Sequence, residues 1–109
     1  MSLVSSSSNS NNHNLYFSKN ELSKILNLYS KGVSRGEWKD YAIDFNKDEA
    51  IFSIYKHSLA TPDFKLSKFK VNKKKQILYG LSFSNKKTKY ENIDSMISSL
   101  YRKNLLIIL

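Results

Sequence analysis

The chain has 109 residues, 40% of them apolar, no cysteine, and a formal net charge of +9. That length suits one domain with one core. The missing cysteines exclude disulfides and thiolate metal sites, and no apolar run reaches the roughly 18 residues needed to span a bilayer. The N-terminus also lacks the basic flank and apolar stretch of a signal peptide, so the cytoplasm is the expected location.

Residues 1–14 are a Ser/Asn-rich tail, too poor in apolar groups to offset the entropy of ordering, and read as disordered. Residues 15–109 read as a single α+β domain. Its first helix is expected at about 19–34. Ser18 and Glu21 have capping-box spacing, and Phe17 with Leu22 can staple the entry. Leu22, Ile25, Leu26, Tyr29 and Val33 then form an apolar stripe. Gly32 interrupts it at a cost of about 1 kcal/mol relative to alanine. Gly36 is the expected terminator.

Residues 36–57 read as a β-hairpin. Tyr41, Ile43 and Phe45 alternate along one strand and Phe52 and Ile54 along the next, joined by Asn46-Lys47-Asp48-Glu49. Pro62 breaks the connector that follows. Residues 64–71 form a third strand whose apolar residues change parity. Phe64 and Leu66 lie on one face and Phe69 and Val71 on the other, which predicts a bulge near Ser67-Lys68 or a loosely packed edge strand. Residues 76–83 form a fourth strand with Ile77, Tyr79, Leu81 and Phe83 inward. After a polar stretch, a second helix is expected at about 93–103, capped by Asn92 and ended by Asn104. The apolar end LLIIL reads as a final strand, a packed tail or a sticky surface. The fold class is therefore α+β: helix, four-stranded antiparallel meander, helix, with both helices on one sheet face.

The segments GEWKDYAIDF, EL-x2-IL-x-LY from Glu21 to Tyr29, and AIFSIYK from Ala50 to Lys56 resemble a family of small alphaproteobacterial proteins known as domain of unknown function 2794. The likeness covers about residues 16–83. Beyond them, lysine-rich loops stand where more arginine-rich ones are expected in the family. The resemblance implies one small cytoplasmic domain and brings no activity, cofactor or catalytic residue with it.

Charge is the feature that carries a functional argument. Through residue 63, seven Lys/Arg balance seven Asp/Glu, whereas residues 64–90 hold nine lysines and no acid. These are Lys65, Lys68, Lys70, Lys73, Lys74, Lys75, Lys86, Lys87 and Lys89. Clustered lysines bind a phosphate backbone by releasing its counterions, and Trp38, Phe69, Tyr79 and Tyr90 are rings that could stack on bases. The blander role for such lysines is to blunt sheet edges against aggregation. The expected function is a non-enzymatic module whose lysine-rich hairpin contacts nucleic acid or another polyanion. The alternative is protein interaction or self-association through the sheet face or the apolar C-terminus. No membrane contact, cofactor or metal is expected.

Little points to catalysis. His57 is the one histidine outside the tail, with no cysteine or second ligand beside it in sequence. Asp40 and Asp44 share a strand face but stand roughly 13 Å apart, beyond the reach of paired-carboxylate chemistry. The three scattered glycines form no phosphate loop.

Overall fold

The structure, a computed structural model, describes residues 13–57, 61–71 and 76–108, with the backbone alone from 104 onward. Apart from His13 and Asn14, the tail lies outside the described residues, as do Lys73, Lys74 and Lys75. The element order is α1 (Lys19–Ser34), β1 (Asp40–Phe45), β2 (Glu49–Tyr55), β3 (Phe64–Val71), β4 (Gln76–Phe83), β5 (Lys86–Tyr90) and α2 (Ile93–Ile108). The strands form one antiparallel meander in chain order, and both helices cover the same face. The α+β architecture is as the pattern implied, with five strands rather than four.

The capping box is present at α1: the Ser18 hydroxyl accepts from the Glu21 amide at 3.1 Å, and the Glu21 carboxylate accepts from the Ser18 amide at 2.8 Å. Gly36 follows the helix at φ +73°, the left-handed geometry that favours glycine. Of the expected stripe, Ile25 is buried and Leu22, Leu26 and Tyr29 pack partly buried against the core, while Val33 is 44% exposed. Glu21, Leu28 and Gly32 are buried as well. Gly32 is there because Trp38 needs the space. A Cβ there would sit 2.2 Å from Cε3 of Trp38, so the absent side chain is the seat of the indole. Trp38 is buried between Tyr29 and Phe64, and its indole N–H has no hydrogen-bond partner among the described residues.

The first hairpin has the expected faces. Tyr41, Ile43 and Phe45 pair with Ile54, Phe52 and Ala50 on the helix side. Asn46 shapes the turn, its side-chain oxygen accepting from the amides of Asp48 and Glu49, both at 2.9 Å. β3 contains neither the bulge nor the edge position expected of it. Its pairing with β2 and β4 is unbroken, and it lies at the centre of the sheet. The parity change is real, and Lys68 takes the inward position after Leu66.

β5 replaces the polar connector expected after β4. Ser84 and Asn85 both have positive φ, 51° and 64°, and form a two-residue hairpin turn that β4 and β5 flank. The strand KKTKY escaped the pattern because a lysine-rich edge strand shows no apolar alternation. Asn92 precedes α2 as its cap, its side chain accepting from the Ser95 amide at 2.8 Å, and the helix runs past Asn104 to Ile108. No glycine or proline follows Asn104 to stop it.

Two stability predictions follow from these contacts. Gly32→Ala should lower stability by about 1–3 kcal/mol despite alanine's better helix propensity, because the methyl group displaces the Trp38 ring. Urea denaturation followed by Trp38 fluorescence checks this, and a stabilised variant would contradict the seat. Conversely, Ser84→Asn with Asn85→Gly should add up to about 1 kcal/mol in the same assay, since Asn-Gly is favoured at two positive-φ turn positions.

Candidate nucleic-acid interface

The sheet register sorts the lysines by face. On the face opposite the helices, here the open face, stand Lys65, Lys87 and Lys89, all exposed. Lys65 and Lys87 flank Ser82 in one cross-strand row, and Lys89 opposes Gly80 in the next. Lys68, Lys70 and Lys86 have the opposite parity and fall on the helix side. The cluster that is continuous in sequence is thus divided in space.

Lys87 lies across the open face rather than standing off it. Its ammonium is 4.7 Å from the centroid of the Phe69 ring and 4.0 Å from a Glu49 carboxylate oxygen. Gly80 makes room for this: a Cβ there would meet Lys87 Cε at 2.8 Å and Ser67 Oγ at 2.9 Å. Half-buried Ile51, Tyr55, Phe69, Val71 and Leu78 share this face, with Asp40, Asp44 and Glu49 along its β1–β2 side. The face is therefore polarised, acidic at one edge and basic at the other. Tyr55 was missed as a candidate ring, although its parity opposite Ile54 placed it there.

Of the four rings expected to stack on bases, only Phe69 is on this face. Trp38 is 2% exposed and belongs to the core. Tyr79 and Tyr90 point to the helix side, where Tyr90 donates to Ser99 Oγ at 2.7 Å and Tyr79 donates to Glu21. These three are corrected from surface rings to packing residues. Their inward parity suits tyrosine, whose hydroxyl finds a partner beneath the helices.

Lys68 is likewise an internal group. Its ammonium donates to Glu21 at 2.7 Å and to the Tyr16 carbonyl at 2.9 Å, with 13% of the side chain exposed. Burial by itself would raise the Glu21 carboxyl. Hydrogen bonds from Lys68, Tyr79 and the Ser18 amide, with the charge of Lys68, outweigh it and hold the group below the ordinary glutamate value. Tyr79 moves the other way, pushed up by burial and by the Glu21 carboxylate it donates to.

Asp40, Asp44 and His57 lie apart from this Glu21 cluster. Asp40 and Asp44 each accept from the next residue's amide, at 2.8 and 3.0 Å. His57 is exposed. Among the described residues, no three His, Asp or Glu side chains are grouped to hold a metal ion.

Glu21 generates a pH prediction. Its folded pKa lies below the unfolded value, so its contribution is present above the ordinary value near 4.5 and is lost as pH falls through the folded value. Glu21→Gln should therefore cost about 1–3 kcal/mol at neutral pH and flatten the acid limb of the stability curve. Denaturant titrations between pH 3 and 7 read both effects. An unchanged acid limb would show that Glu21 does not carry it.

The model of a family described as "Protein of unknown function (DUF2794)" matches residues 15–90, which take in α1 and all five strands and stop short of α2. No curated protein and no solved structure matches the chain. With the match covering well over half of its length, the chain belongs to this family of proteins of unknown function.

Proposed function

We propose that the protein is a non-enzymatic, cytoplasmic binding module that contacts nucleic acid through the lysine-bearing half of its open sheet face. The observation that supports this is the convergence of exposed Lys65, Lys87 and Lys89 on one face of β3 to β5. No acid lies between residues 64 and 90 to neutralise them from within that segment. Lys86 shares the edge strand but has helix-side parity, and Lys73, Lys74 and Lys75 lie outside the described residues. Lysine contacts of this kind neutralise phosphates without reading sequence.

Protein contact through the same face is the second reading. It is favoured by the half-buried Ile51, Tyr55, Phe69, Val71 and Leu78, which leave apolar area uncovered there. The apolar C-terminus, also a candidate for self-association, has its side chains outside the described residues.

Anisotropy titration of labelled single- and double-stranded oligonucleotides between 50 and 200 mM salt separates the readings. Nucleic-acid binding predicts measurable affinity at low salt. It also predicts that the log–log salt slope drops by about 2–3 when Lys65, Lys87 and Lys89 become Gln, as expected at just under one released counterion per lost contact. Changing Lys19, Lys39 and Lys47 to Gln should alter it far less. No binding at 50 mM salt, or equal loss in both variants, would remove the proposal. Concentration-dependent sedimentation abolished by Phe69→Lys would instead favour the second reading.

A further inference from the structure

We propose that the cleft between α1 and α2 is a binding site for a small amphipathic organic anion, one with a carboxylate, sulfonate or phosphate head on an apolar body. The cleft, open along its solvent side, has a volume of about 360 Å³, within the roughly 300–1,000 Å³ of small-molecule sites. The two helices run parallel here: Lys24 and Asp94 meet near their starts, while Lys31 and Arg102 line the cleft further along. The floor is apolar, formed by Leu28 from α1 and Ile97 from α2, and Tyr101 stands over it 41% exposed.

Charge determines the ligand class. The Lys24–Asp94 ion pair, at 2.9 Å, neutralises one end of the cleft. Lys31 and Arg102 at the other end have no carboxylate within ion-pair distance among the described residues. Lys31 lies in the last turn of α1, where the helix dipole accounts for a cation. Arg102 does not lie in the last turn of α2, so the dipole does not account for it. Two unpaired cations beside an apolar floor complement an anionic head and an apolar body. A guanidinium in particular can grip a planar or tetrahedral oxyanion through two N–H donors. The site is independent of the sheet face. One wall of it comes from α2, which lies beyond the residues matched by the family model.

The test is a fluorescence titration of the full chain with 8-anilinonaphthalene-1-sulfonate, whose sulfonate and rings match the proposed class. Saturable binding should be displaced by decanoate but not by decanol. Lys31→Glu with Arg102→Glu should weaken it by about tenfold or more, corresponding to the loss of two charge-assisted contacts. Lys19→Glu with Lys39→Glu carries the same charge change and should leave it nearly unaltered. Ser98→Trp, which fills the cleft from an exposed helix position without altering charge, should also abolish binding. Circular dichroism confirms that each variant is folded. The proposal is overturned if decanol competes as well as decanoate, if both charge-reversal pairs weaken binding equally, or if Ser98→Trp binds normally.

Discussion

One carboxylate fastens α1 to the sheet. Glu21 accepts from the Ser18 amide at the start of α1, from Lys68 on β3 and from Tyr79 on β4, and Lys68 also reaches the Tyr16 carbonyl. A charge so placed is costly unless every partner is present. The contact therefore restricts how α1 can rotate and slide on the sheet. With Glu21 facing the strands, helical periodicity brings Ile25, Leu28 and Gly32 to the same side. Gly32 then arrives beneath Trp38, where any side chain would collide. The capping box thus has a second use, since the residue that closes the helix start also sets its orientation.

The same contact shapes the surface. By drawing Lys68 inward, it removes one cation from the basic segment and sends Phe69 and Val71 to the open face. Lys87 then lies over Phe69, admitted by Gly80, and approaches Glu49. What is left for solvent is a polarised sheet face, with Lys65, Lys87 and Lys89 on its β3–β5 half and Asp40, Asp44 and Glu49 on its β1–β2 half. A face of that kind steers a charged partner by its field as well as by contact.

α2 stands somewhat apart. It packs over β4 and β5 and joins α1 through the Lys24–Asp94 pair. Between the helices it leaves an apolar floor rimmed by cations, a chemical character unlike that of the open face. Among the described residues there is thus a flat face of divided charge and a concave cleft rimmed by cations. A flat array of point charges suits an extended polyanion, whereas a concave apolar site suits a compact ligand with one charged end.

Much of this was legible in local pattern. Ser18 and Glu21 marked the helix start, Gly36 its end, and alternation from Tyr41 to Ile54 the central hairpin, because capping and strand parity depend on residues a few positions apart. The localisation of the net charge was equally plain. The fifth strand was hidden because Lys86, Lys87 and Lys89 pair through backbone bonds that no side-chain pattern announces. What tertiary structure alone decided was the fate of each charge and ring: Lys68, Tyr79 and Tyr90 inward, Trp38 onto Gly32, Lys87 across Phe69. Those outcomes depend on partners such as Glu21, 47 residues from Lys68 along the chain. Sequence proximity carries no information about which buried charge will find which counter-charge, since only the register of packed layers brings them together.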